Sequence, residues 1–442
     1  QDNWQVTRRL TLNLGLRTER EFLPSFRTDS GIKSRAIEFG FSDKMAPRLG
    51  FALDVTGTGK FKISGFWGMF YDMMKYEMPR GSFGGDQWKD YVHALDDPDF
   101  TKIKTGNTPG RLFETVDWRI PSNDPSDNTI DPKLKPMRVI SMDWAADYRV
   151  TNNVVLSARY VHKRLTRTIE DVGILTPQGE KYFIANPGFG LTADPKTWGP
   201  GIPVTPKAKR DYDGLEIRVD KRYSKGYQIT SSYTYSRLYG NYSGLASSDE
   251  NGRTSPNVNR YFDLPFMSYD GHGKLVEGLL ATDRPHTFKF FGAKDFKSKL
   301  GTTTFSPIFT WFTGTPITSE TGVFGVPVFY DGRGDLGRTP VVTETNLLVA
   351  HEWKMPKHER QRLRFELNFL NLFNQSTITN RDTSFVHPND GGLQFDNEAD
   401  FFKGFDRAKE MKAQDLRKSP SLGFANGFHG PRVIRFGIQY FF

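Results

Sequence analysis

Residues Asn123, Asp124, Asp127, Asn128 and Asp131 bring oxygen-bearing side chains close together. Hard cations such as calcium take six to eight oxygens, so Asn123–Asp131 is a candidate loop for a structural Ca2+. The interspersed Pro121, Pro125 and Pro132 fit a turn-rich loop equally well. Gly332, Gly334 and Gly337 spell GxGxxG, but a dinucleotide site needs a strand before the glycines and a helix after them. Here Arg338, Thr339 and Pro340 follow, so loop glycines are the better reading. Arg333-Gly334-Asp335 forms an adhesion-type tripeptide, which chance explains. The eight histidines are dispersed without HExxH spacing, and no GxSxG elbow occurs. Paired acids such as Asp96 and Asp97 are common in loops. No catalytic residue and no resident cofactor is expected, and the chain is not read as an enzyme.

Two other sets of residues suit binding. Trp88, Tyr91, Trp118, Trp198 and Tyr261, with Phe262 and Tyr269, fall in polar segments where rings can stack on sugars or peptide side chains, or pack on one another. Arg17, Glu216, Arg218, Asp220, Arg362, Arg364 and Glu366 alternate with apolar residues, so a strand would turn all of them to one side. Facing lipid, an arginine at mid-depth would cost about 2–4 kcal/mol, so these charges are expected to face a wet lumen and to pair with neighbouring strands.

The elements that must hold them are strands. The chain ends VIRFGIQYFF, with Ile434, Phe436, Ile438, Tyr440 and Phe442 on one parity and Arg435, Gly437 and Gln439 on the other. Leu10 to Leu16, Phe61 to Tyr71, Leu215 to Val219, Tyr227 to Tyr235 and Leu363 to Phe369 repeat the pattern. About twelve such strands are readable, at lengths suited to a tilted membrane crossing. Short turns near 7–9, 56–59, 150–153, 223–226, 296–299 and 355–358 alternate with long segments 22–44, 72–136, 169–211, 241–282, 314–342 and 374–429. Long loops at every second connection are foreign to a compact soluble domain and usual for a membrane barrel with short periplasmic turns. Aromatics such as Tyr148, Tyr223 and Tyr227 near short turns, and Tyr160, Tyr235 and Trp311 near long loops, suggest two interfacial belts.

Composition agrees with this reading. The 442 residues carry a net charge of +9, no cysteine and 14% aromatics. No apolar run approaches the roughly 18 residues of a transmembrane helix. Without cysteine, disulfide scaffolds and thiolate metal sites are excluded. Lysine and arginine are scattered among 51 acidic residues, so the basic balance is read as solvated surface charge, and no nucleic acid is expected. The opening QDNWQVTRRL has neither the basic region nor the apolar core of a secretion signal, so the sequence is expected to be an internal piece of a longer protein.

Five segments resemble TonB-dependent outer-membrane transporters of the Oar-like group: QDNWQVTRRLTLNLGLRTE at the start, residues 212–238, residues 280–296, residues 332–354 with 365–375, and GPRVIRFGIQYFF at the end. The resemblance implies a barrel of about 22 strands, an N-terminal plug and often a carboxypeptidase-regulatory-like domain before it. Neither plug nor coupling motif is present, so an all-β antiparallel transmembrane barrel half, its C-terminal twelve or so strands, is expected over residues 1–442. The implied function is import of a scarce solute (oligosaccharide, peptide or metal chelate) across a Gram-negative outer membrane. The implied partners are the TonB–ExbB–ExbD energy coupler, reached through the missing N-terminal part, the barrel-assembly machinery, lipopolysaccharide and a surface lipoprotein lid. Phe436, Ile438, Tyr440 and Phe442 would form the assembly signal. A passive channel, an adhesion barrel and a soluble carbohydrate-binding β-protein remain open at this stage.

Overall fold

The computed structural model describes residues 2–23, 37–74, 89–96, 99, 101, 110–117, 130–176, 179–244, 262, 264–354 and 361–442. Among them, thirteen strands lie side by side in one antiparallel meander, one more than the dozen expected. They are β1 (Asp2–Gln5), β2 (Leu10–Arg17), β3 (Ala46–Asp54), β4 (Phe61–Tyr71), β5 (Arg138–Thr151), β6 (Val154–Arg167) and β7 (Arg210–Ser224). Then come β8 (Tyr227–Gly240), β9 (His286–Ser298), β10 (Gly301–Phe312), β11 (Val342–Lys354), β12 (Arg362–Leu370) and β13 (Val433–Phe441). A two-residue strand, Gly278–Leu279, pairs with the end of β8.

Register fixes the faces, because directly opposed residues share a side. Tyr160 opposes Trp144 and Leu215, while Leu215 opposes Tyr235. Arg159, one position away, opposes Ala145 and Glu216, and Glu216 opposes Thr234. One face is therefore aliphatic and aromatic, and the other largely polar. The apolar face is not buried. Trp144 is 52% exposed, Ile217 44% and Phe436 64%. A contiguous exposed apolar face of this extent must meet another apolar phase. Packing within that face is specific: Phe51 and Trp144 meet edge to face, 6.0 Å apart, across Gly65. A Cβ at Gly65 would stand 2.5 Å from the Phe51 ring and 3.1 Å from Trp144, so only glycine lets the two rings close over the strand.

Most of the buried core lies outside the sheet, among the long connections. Short ribbons such as 170–176 with 179–185 and 321–323 with 326–328 brace these segments. Phe266, Phe401, Val323, Val328 and Leu393 form one cluster, with Phe402 stacked on Phe266 at 5.5 Å. A second cluster joins Leu23, Ile37, Phe39, Met74, Ile169 and Ile184, which come from three different connections. The long loops thus pack on one another into a layer at one end of the sheet. The short connections at residues 6–9, 55–60, 152–153, 225–226 and 299–300 lie at the other end. The turn read near 355–358 lies outside the described residues.

Candidate functional site

The polar face and the loop layer above it form the candidate site. Arg17, Glu216, Arg218, Asp220, Arg362, Arg364 and Glu366 all stand on the polar face, by register with Ala46, Arg159, Ser157, Val155, Phe441, Gln439 and Gly437. Most are tied to a carboxylate or guanidinium nearby. Arg218 Nε donates to Asp220 at 2.6 Å, and Thr230 donates to the same carboxylate at 2.9 Å. Arg364 lies 2.7 Å from Glu366, Arg362 3.4 Å from Glu352, and Arg17 2.7 Å from Glu19. Arg159 Nε donates to Asp143 at 3.1 Å, and Ser157 donates to Asp147 at 2.6 Å. Unpaired charge on this face would carry a desolvation penalty wherever another polypeptide or a solute covered it. Pairing lowers that penalty.

At the loop end the chain builds two internal clamps. The Lys44 side chain has no exposure and sits between Glu19 (3.2 Å) and Glu21, while its ammonium also donates to the Asp72 carbonyl at 3.3 Å. Glu21 in turn accepts from the Met74 amide at 2.9 Å, so one buried cation joins two successive long connections. Burial opposes charge on the Glu19 carboxyl, but the Lys44 hydrogen bond and charge, with Arg17, hold it below its ordinary value. In the second clamp, Asp283 accepts from the Leu238 amide at 2.6 Å and pairs with Arg338 from the next long connection. Arg284 donates to the Thr313 carbonyl at 2.9 Å. His286 Nδ1 bonds the Tyr233 hydroxyl at 2.7 Å, which makes Asp283 to His286 a structural corner.

The ring residues proposed for ligand contact that are described differ in exposure. Tyr91 is 60% exposed on the ribbon of 89–93 with 112–117. Trp198 is 5% exposed inside the loop layer. Phe262 is buried against Tyr242, and Tyr269 packs edge-on against Phe402. Trp88, Trp118 and Tyr261 lie outside the described residues, as do Asn123, Asp124, Asp127 and Asn128. Asp131 is buried, and its carboxylate accepts the amides of Lys133 (2.8 Å) and Leu191 (2.9 Å). The 332–337 glycines sit in a turn in which Asp335 accepts from the Ser319 amide at 2.7 Å. Sequence reasoning missed Lys44 and Arg338, because their partners lie over twenty residues away with no local spacing to announce them.

The family model described as "Outer membrane beta barrel domain" matches residues 1–325. The chain belongs to the outer-membrane β-barrel family. The exposed apolar face is therefore the lipid-facing side of a barrel wall in a Gram-negative outer membrane. Over its whole length the chain is 26% identical to the TonB-dependent transporter Oar of Myxococcus xanthus and spans 42% of that protein. The outer membrane transporter YddB of Escherichia coli is 12% identical, with TM-score 0.49, over 87% of this chain and 41% of that one. The ferric preacinetobactin receptor BauA of Acinetobacter baumannii is 10% identical, with TM-score 0.46, over 98% and 40%. These relatives are transporters and receptors rather than enzymes.

Proposed function

We propose that the chain is the C-terminal part of the barrel of a TonB-dependent importer, which takes up a scarce solute too large for passive pores. The observation that carries this is the division of labour in the wall: a lipid-facing apolar side, an ion-paired polar side, and long connections gathered at one end into a layer with its own core. Such a layer offers a shaped surface to the outside, and a paired polar face suits contact with a plug that must slide or rearrange. The similarity to Oar over the full chain supports energy coupling. Solute choice would lie in the loop layer, with Tyr91 among the exposed rings. The remaining wall, the plug and the coupling segment would come from the rest of the protein, and Phe436, Ile438, Tyr440 and Phe442 on β13 would serve as the assembly signal.

The test compares solutes depleted from the medium by wild-type and gene-deleted cells, with and without a protonophore. A solute taken up only by energised wild-type cells supports the proposal. Uptake that survives the protonophore would make the protein a passive channel.

A further inference from the structure

Among the described residues, the lipid-facing side carries a concavity. Strands β8, β9 and β10 border an open groove of about 450 Å3. It exists because two residues that weaken strands stand opposite each other. Gly292 on β9 has no side chain, and the Phe290 ring leans over it: a Cβ there would stand 3.1 Å from that ring, so the groove runs beside this covered glycine, between Ile229 and Pro307. Pro307 on β10 has no amide hydrogen, and the β9–β10 ladder skips from Phe291–Ile308 to Lys294–Phe305. The Gly292 carbonyl turns instead to the Ser306 hydroxyl at 2.9 Å. Phe290 walls one end of the notch, and Phe305 with Phe296, in edge-to-face contact at 5.6 Å, walls the other.

The rim of the notch nearest the short turns is cationic. Lys294 points to the same side as Phe290 and Phe296, yet its ammonium reaches back to the Lys225 carbonyl in the short 225–226 turn, at 3.4 Å. It lies 5.3 Å from the centre of the Tyr227 ring, which Lys221 approaches from 3.7 Å. Lys221 is satisfied by the Ser224 hydroxyl and by the carbonyls of Arg222, Ser224 and Tyr227. Asp295, the nearest acid along the strand, is on the opposite face and is taken up by Tyr223 and Thr304. Lys294 is exposed. Its stem lies along apolar surface with the charge at the interface, the usual posture of a snorkelling lysine.

We propose that this notch is a binding site for a phospholipid of the periplasmic leaflet, with one acyl chain in the groove between Phe290 and Phe305 and the phosphate on Lys294. An apolar trough ending at a cation is complementary to a molecule with an apolar chain ending at an anion. The leaflet follows from position, since the notch opens toward the short turns. This site is independent of the transported solute and of energy coupling.

The test uses the full-length protein in mild detergent, with bound lipid read by native mass spectrometry after addition of phosphatidylglycerol or lipopolysaccharide. Wild type should retain one phosphatidylglycerol. Lys294→Gln, which keeps the packing, and Gly292→Leu, whose side chain displaces the Phe290 ring into the groove, should each lower retention at least fivefold. Lys299→Gln, in the neighbouring turn, should leave it unchanged. Folding of each variant is checked by heat-modifiable gel migration. Equal retention by Lys294→Gln and wild type would overturn the proposal, as would an equal loss in Lys299→Gln or a preference for lipopolysaccharide.

Discussion

Replacing Lys44 by methionine tests how the loop layer is held. The ammonium is enclosed and 3.2 Å from Glu19, so at an effective dielectric of about 20 that one contact is worth roughly 5 kcal/mol before desolvation. Methionine, one heavy atom shorter, keeps most of the apolar stem but strands two carboxylates, one 11% and the other 27% exposed. Removing one partner of a buried ion pair costs about 3–5 kcal/mol, and water at Glu19 places this case near the lower figure. The Met74 amide reports it, because it donates to Glu21 from the adjoining connection. A loss of about 3 kcal/mol means roughly 100-fold faster hydrogen exchange there, provided exchange proceeds by local opening. Adding Glu21→Gln should recover about 1 kcal/mol or more, because one stranded charge disappears. Glu19 is held below its ordinary value, so its contribution is complete above the ordinary carboxylate range and fades as pH falls through the depressed value. The gap between wild type and Lys44→Met should therefore narrow in acid. Exchange within threefold of wild type, or no rescue by Glu21→Gln, would refute the clamp.

Gly65→Val should cost about 1–3 kcal/mol, since the added carbons collide with Phe51 and Trp144; urea unfolding in lipid vesicles would register it, and an unchanged midpoint would mean the rings move apart freely. Asp390 is held at about 2, chiefly by its hydrogen bonds from Arg417. The order this pair confers should be complete above about pH 4 and disappear as pH falls through 2, as read at the Arg417 amide by hydrogen exchange; a transition between pH 5 and 7 would point to another group, and Arg417→Gln should flatten the profile. Cysteines at Phe424 and Leu300, both exposed, should report the two sides of the membrane. In intact cells an impermeant thiol reagent should modify Phe424→Cys alone, and labelling of Leu300→Cys instead would invert the orientation.

Period-two patterning made the wall legible, because each strand must show lipid and water opposite sides. Leu215, Ile217 and Val219 against Glu216, Arg218 and Asp220 settle their own faces without any partner. The four-residue Asp2–Gln5 strand is too short to carry such a pattern by itself; the short turn that follows it makes it legible, and it pairs with Thr11 to Leu14. The loop layer was nearly silent. Phe266, Phe324, Phe401 and Phe402 converge from three connections with no periodicity, so nothing local separates a packing ring from a binding ring. Trp198 illustrates the difficulty: in a polar segment it reads as a contact residue, yet it is enclosed. The Gly292–Pro307 notch escaped notice for the same reason, since each residue alone reads as a weak spot in a strand and only the register sets them opposite each other.

The chain's lack of cysteine makes one experiment decisive for the barrel-wall reading. Single cysteines at Ile438 and Gln439, neighbours on β13 that oppose Phe365 and Arg364, should part company in the membrane. A lipid-phase probe should label Ile438→Cys, and a water-soluble thiol reagent should label Gln439→Cys. The reverse pattern, or equal labelling of both by the water-soluble reagent, would contradict a wall with one face in lipid and the other in an aqueous lumen.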